Sequence, residues 1–166
     1  MIGRRLQPPL GIAFAFAALL SWSVVSKTGA GMATVTVELR NVGETQAAMG
    51  WAGGHTIVVD RPEGNAGGMG LGFNGAQLLA LSLGGCFCND LRYAAEEMGA
   101  AVDTIAVSVA LELEGKPLLA TAAKLKVRCR MSDGSDPQPV IERAKTICMV
   151  ANSLRSGVPV GIEMVA

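Results

Sequence analysis

The sequence is poor in aromatic residues, with four Phe, two Trp and one Tyr among 166 positions. No basic run is interleaved with them, so it lacks the stacking platform that single-stranded nucleic acid requires. Neither sign of charge is in excess. Lys plus Arg and Asp plus Glu number 14 each, which argues against nucleic acid or a strongly charged surface as partner. There is one histidine, His55, so a Ser-His-Asp or Cys-His hydrolase would have a single base to use. Nothing in its neighbourhood supplies an orienting partner, and His55 reads as a structural residue on a half-buried strand. No C-x-x-C occurs among the four cysteines. Without it, and with His55 on a separate strand, the usual zinc-ligand spacings are missing, and neither a metal nor a cofactor is expected. Glu96 and Glu97 are adjacent on a predicted helix, where neighbours do not face one another. They read as a solvated helix end and not as an acid/base pair.

What is present is apolar. Half of the residues are hydrophobic, enough for one domain with a sizeable core. Residues 1–31 differ from the rest. Arg4 and Arg5 precede an uncharged stretch from Leu6 to Ser26, apolar from Leu10 to Leu20. That order is the pattern of a signal peptide, and the run is short for a spanning helix. The alternative is a start at Met32, because Thr34 onwards reads at once as structured protein. Residues 1–31 are therefore set apart as a signal-like or spurious extension, and 32–166 as the domain. No stable membrane association of the folded domain is expected.

Thr34–Arg40 alternates as a strand, and Gln46–Trp51 and His55–Val59 follow as two more, joined by turns at Asn41–Gly43 and Gly53–Gly54. Asp60–Gly72 is a glycine-rich loop; no Walker lysine follows it, and it is read as a connector, not as a phosphate cradle. Phe73–Met98 is the central helix. Its leucines, with Phe87 and Tyr93, point all round the wheel, which predicts burial on every side. From Asn89 onwards it turns polar, and Asp90 is expected among the residues that emerge to solvent. Gly84 and Gly85 each cost about 1 kcal/mol in a helix relative to Ala, which predicts something packed closely against the backbone there. Val102–Leu113 and Thr121–Met131 form a long hairpin, Val140–Leu154 a second helix, and Val160–Val165 a closing strand. The order βββ-α-ββ-α-β is α+β with an antiparallel sheet and two main helices.

The cysteines are Cys86, Cys88, Cys129 and Cys148. Cys86 and Cys88 diverge on a helix and make a poor chelate and a poor disulfide. Cys129 lies between Arg128 and Arg130 and, by alternation, faces the core when they face water. Cys148 falls on the apolar face of the second helix, where it can meet Cys86. A buried cysteine is more often a small hydrophobe than a reactive group, and the local pattern leaves both open.

The segments GGHTIVVDRPEG and FNGAQLLALSLGGCFCNDL, with KTICMVANSL later, resemble the OsmC/Ohr family of thiol-dependent hydroperoxide reductases. The likeness covers roughly Thr34–Ala166. Its most specific part is the apolar helix reaching Leu-Gly-Gly-Cys, with an asparagine twelve residues before the cysteine and a distant second cysteine. The resemblance implies that Cys86 attacks the peroxide and that Cys148 resolves the sulfenic acid as a disulfide. It implies an intertwined homodimer with each site built by both chains, organic hydroperoxides as substrates, and a dithiol as reductant. It also implies a cytoplasmic protein, whereas the N-terminal segment alone points to export. The activating arginine should come from the early strands, with Arg40 first and Arg61 next. Two departures from the family stand out. Where the hydroperoxide-resistance branch begins its helix Asn-Pro-Glu, this chain has Asn74, Gly75 and Ala76, and the neutral Gln77 that follows cannot replace the carboxylate. Met149 stands where proline is common after the second cysteine. Asp90, one turn after Cys86, adds a negative charge beside a thiol that must ionise. These departures fit a divergent subgroup. The rival readings are a non-catalytic dimer that binds a small apolar ligand or accompanies stress, and a redox sensor with Cys88 as an extra thiol.

Overall fold

The structure is a computed structural model that describes residues 26–28 and 31–165. Most of the signal-like segment therefore lies outside the described residues. Within its last part, β1 (Ser26–Thr28) pairs antiparallel with β2 (Met32–Thr34), so the expected boundary at 31/32 falls inside a small hairpin. The chain continues as β3 (Glu38–Asn41), β4 (Ala48–Ala52), β5 (His55–Val59), α1 (Gly75–Glu97), β6 (Val102–Glu114), β7 (Leu119–Met131), α2 (Gln138–Ile147) and α3 (Met149–Ser156). All named sheets are antiparallel: β1-β2, β3-β4-β5 and β6-β7. The α+β reading holds, with three corrections.

The first strand is split, because its two ends have different neighbours. Met32–Thr34 pairs with β1 and Glu38–Asn41 with β4, and residues 35–37 between them pair with neither. The second helix is broken at Cys148 into α2 and α3. The closing strand is not formed: residues 157–165 have no regular structure, and Ile162 and Met164 are almost fully exposed. Alternation at Val160–Val165 gives a strand propensity, but a strand exists only where a neighbour supplies the ladder, and no described strand of this chain does so.

One stripe of α1 makes the core. Leu83, Gly84, Phe87, Asp90, Leu91, Ala94 and Ala95 are buried, at the three- and four-residue spacing of a single helical face. The prediction of burial all round is thus corrected, since Leu81 and Tyr93 are exposed. Met131, Val140, Ala144 and Cys148 close the cluster from β7, α2 and the break before α3. Alternate residues of the long hairpin pack against it, with Ile105 opposite Cys129, Val107 opposite Val127 and Val109 opposite Leu125. The close approach expected at the glycine pair is real at Gly84, where an added Cβ would lie 3.0 Å from Val109 Cγ2, but not at Gly85. Burying such a stripe at about 25 cal/mol per Å² is the main force holding α1 to the hairpin.

The glycine-rich loop is organised by one buried carboxylate. Asp60 accepts from the backbone N–H groups of Arg61 (2.8 Å), Met69 (2.9 Å) and Leu71 (3.1 Å). These bonds, led by that from Leu71, hold its pKa below the ordinary carboxylate range. The loop then meets β5 again: Phe73 N–H donates to Val58 O and Asp60 N–H to Phe73 O. At Gly72 an added Cβ would overlap the Val58 carbonyl, so only glycine passes there. A carboxylate whose pKa is lowered by folding stabilises fully above its unfolded pKa, and that contribution fades as pH falls through the folded value. Asp60→Asn is therefore expected to lower the denaturant midpoint at neutral pH, with the gap from wild type closing as the solution is acidified. A gap that persists unchanged into acid would show that the charge does not organise the loop.

Candidate functional site

Helix α1 starts at a capping box. Asn74 Oδ1 accepts from Gln77 N–H (3.0 Å), and Gln77 Oε1 accepts from Asn74 N–H (2.9 Å). Two otherwise orphaned amides are satisfied reciprocally. Gln77, at the position next to the missing family glutamate, is thereby committed to the cap, and the first turn carries no acidic residue. The cap also bears on the loop ahead of it. Gly70, Gly72 and Gly75 do stand at G-x-G-x-x-G spacing, a match that the reading of the loop as a connector passes over. A phosphate fingerprint needs that spacing directly after a strand, yet β5 ends at Val59.

Three turns further on, α1 presents Cys86 and, four residues later, Asp90. That spacing puts both on one face. Cys86 is half-buried and Asp90 buried, so the expectation that Asp90 emerges to solvent is corrected: it lies on the α1 stripe under α2 and α3. The Cys86 thiol donates to Asp90 Oδ2 at 3.4 Å.

Cys148 arrives from the other side. Its φ of −60° and ψ of 104° end α2 and begin α3. The break is stitched on both sides. Cys148 N–H donates to Ala144 O, Asn152 N–H donates to Cys148 O, and Asn152 Nδ2 takes the carbonyl of Thr146, all at 3.0 Å. A helix interrupted this way leaves carbonyls to be satisfied by side chains, and Asn152 supplies one. A two-pronged ion pair from Arg143 to Glu97, both bonds 2.9 Å, ties α2 to the end of α1; Glu97 is thus more than a solvated end.

The result is a cluster of the two sulfurs and a carboxylate oxygen, all within 4.8 Å of one another. Cys148 is fully buried. Burial pushes its thiol up to about 12, Asp90 and Cys86 alongside add to the shift, and the Ala151 N–H works the other way. Among the described residues no guanidinium or ammonium pairs with Cys86, Asp90 or Cys148. Arg40 lies on β3, its side chain 76% exposed and paired with Glu38 at 3.3 Å. Arg61 donates to Gln46 O and sits 3.9 Å from Asp60. So the fold of one chain gathers Cys86 and Cys148, and it leaves both arginine candidates elsewhere.

Other sequence candidates fall outside the cluster. Cys88 lines a cleft of about 460 Å³ on another side of α1, with Phe73, Leu81, Gly84, Val107 and Val109. Cys129 is packed against the core, and burial raises its pKa. His55 lines a separate apolar cleft of about 390 Å³ beside Leu39 and Trp51. The sequence places Asp90 one turn after Cys86, beside its thiol, and the structure agrees; what the sequence reading missed is that Asp90 is buried and meets Cys148 as well.

The sequence profile of a family described as OsmC-like protein matches residues 67–163. No curated protein matches the chain in sequence. Several solved structures share its fold. An osmotic stress induced and detoxification response protein of Psychrobacter arcticus 273-4 is 20% identical with a TM-score of 0.60, over 72% of this chain and 88% of that one. An OsmC like protein of Mycoplasma pneumoniae is 14% identical at 0.60, over 72% and 86%. An organic hydroperoxide resistance protein OsmC of Legionella pneumophila is 18% identical at 0.54, over 74% and 89%. No helix among the described residues is long and apolar enough to cross a membrane.

The contrast between a half-buried and a fully buried thiol predicts their order of modification. Alkylation of the reduced native protein with iodoacetamide, followed by peptide mass spectrometry, should label Cys86 well before Cys148. Cys148 should react only once the protein is denatured. Equal labelling rates in the native state would contradict the packing described.

Proposed function

The chain belongs to the OsmC-like protein family, and on that premise we propose that it is a thiol peroxidase of oxidative-stress defence acting on organic hydroperoxides. The observation that supports this most is the meeting of two thiols 62 positions apart in sequence, Cys86 and Cys148, beside one carboxylate. Cys86, the accessible one, is the attacking group. Its sulfur displaces alkoxide from the peroxide, the O–O bond breaks, and a sulfenic acid forms on Cys86. Asp90, already accepting the Cys86 thiol hydrogen bond, is placed to take that proton and return it to the departing alkoxide. The Cys148 thiol then condenses with the sulfenic acid, water leaves, and a Cys86–Cys148 disulfide results. An external dithiol restores both thiols by exchange. The apolar surroundings, Leu83, Phe87 and Leu91 among them, favour an alkyl hydroperoxide over hydrogen peroxide, because the alkyl part gains by leaving water.

A second copy of the chain is part of this proposal. Val37 and Leu39, lining one cleft, and Phe73 and Leu81, lining another, are left between 41% and 57% exposed, apolar surface that a partner can cover. An intertwined homodimer covers it and lets Arg40 of one copy approach Cys86 of the other, supplying the positive charge that a thiolate needs. Arg61 is the alternative donor. The missing family glutamate, Ala76 here, and the commitment of Gln77 to the cap favour one rival reading. In it, the protein is a non-catalytic dimer whose cleft beside Cys88 takes a small apolar ligand.

Consumption of cumene hydroperoxide with a dithiol separates the two. The wild type should turn over, and Cys86→Ser should fall to the uncatalysed background. With no dithiol added, Cys148→Ser should complete one turnover and stop at the sulfenic acid. Arg40→Ala should lose about 100-fold in rate, the scale on which one positioned donor or charge matters at a transition state. Equal consumption by wild type and Cys86→Ser would remove the enzyme reading.

A further inference from the structure

We propose that Cys86, Asp90 and Cys148 of the reduced protein form a zinc site, with two thiolates and one carboxylate as ligands and a fourth position open to water. Sequence spacing alone argued against zinc, because C-x-x-C and a suitable histidine are missing. The fold supplies a different chelate. Cys86 and Asp90 are an i, i+4 couple on one helical face, the spacing by which the two histidines of H-E-x-x-H helices grip a zinc ion. Cys148 adds the third ligand from a second element, held by backbone hydrogen bonds on both sides of the α2–α3 break. A ligand on a stitched helix break is placed more firmly than one on a loop.

The distances fit. Tetrahedral zinc takes sulfur at about 2.3 Å and carboxylate oxygen at about 2.0 Å, which sets neighbouring sulfur and oxygen about 3.5 Å apart and two sulfurs about 3.8 Å apart. Cys86 Sγ and Asp90 Oδ2 are already 3.4 Å apart. With all three donor atoms within 4.8 Å of one another, a closure of about 1.3 Å at most completes the set. The donor set selects the ion: two sulfurs favour a soft or borderline cation over magnesium or calcium. The electrostatics points the same way. A buried carboxylate beside ionised sulfur is costly without a compensating cation, and no described residue of the chain supplies one. The half-buried Cys86 side is the way in, and three protein ligands leave the open position that solvent fills.

Binding is a simple exchange. Zinc enters, the two thiol protons leave to solvent, and nothing is oxidised. A regulatory consequence follows, and it rests on the peroxidase reading. Zinc-held sulfurs are not free to attack peroxide, whereas a Cys86–Cys148 disulfide removes two of three ligands and releases the ion.

The test titrates Co²⁺ into the full chain, stripped of metal and kept reduced with a phosphine, and follows the thiolate-to-cobalt and d–d absorption of a tetrahedral site. The expected result is one Co²⁺ per chain, displaced by Zn²⁺. Cys86→Ser and Asp90→Asn should each weaken binding by more than the roughly 10–100-fold that loss of an outer-shell partner costs. Cys88→Ser should leave the spectrum unchanged. Absence of the spectrum in wild type, or its survival in both Cys86→Ser and Asp90→Asn, overturns the site. Should Asp90→Asn fail to fold by circular dichroism, Cys86→Ser decides alone, its side chain being half-exposed. The peroxidase reading is judged separately, by hydroperoxide consumption of the metal-free protein. If that protein is active, saturating Zn²⁺ should suppress it, and full activity with zinc bound would refute the regulatory consequence.

Discussion

The seam between α1 and the broken helix α2–α3 is the constraint on which the rest depends. It buries Leu91, Ala144 and Cys148 completely, and it is locked at its end by the Arg143–Glu97 pair. An exposed pair of this kind adds little stability by itself, but a two-pronged one fixes orientation. Orientation is what the cluster needs. Cys148 meets Cys86 and Asp90 because its backbone is extended at the break, and Asn152 makes the break tolerable by taking a carbonyl. The hairpin β6–β7 backs α1 from the other side, and Gly84 lets Val109 come close. The apolar packing and the polar cluster are thus one construction.

Much of this could be read from the residues. Strict alternation gave the long hairpin almost to its ends, because its buried face and solvent face differ at every step. The central helix was legible from its long apolar run, whereas the cap at Asn74 that starts it was not read. The break at Cys148 was not. Thr146–Val150 contains neither glycine nor proline, and the stitching that allows it depends on a side chain four residues beyond. The missing last strand failed for a different reason: pattern gives propensity, and only a neighbour gives a ladder. Asp90 was misplaced because a polar residue among Asn89, Arg92 and Glu96 looks like part of a wet face. Yet 87, 90, 91 and 94 are one stripe, and the stripe decides burial.

The cluster raises an electrostatic question that the packing alone does not answer. Asp60 shows how this chain treats a buried carboxylate when it can, surrounding it with three backbone donors. Asp90 has no such cradle. It accepts a hydrogen bond from the Cys86 thiol, and the Cys148 thiol stands alongside. Three groups that can each carry negative charge share one largely buried pocket, and burial makes charge there costly unless something positive joins them.

Three neutralisers are chemically available: a proton, a guanidinium and a metal ion. With protons alone the trio would be inert. Under the proposed function a guanidinium, brought by a second copy, would leave Cys86 open to a peroxide. A zinc ion would hold both sulfurs and close that route. If the three compete for the same small volume, the reactivity of Cys86 would be set less by its own helix than by which cation occupies the space beside Asp90. The loss of the family carboxylate at Ala76 fits that arrangement. By the resemblance a glutamate there holds the activating arginine, and the neutral start of α1, closed by Asn74 and Gln77, offers no such carboxylate.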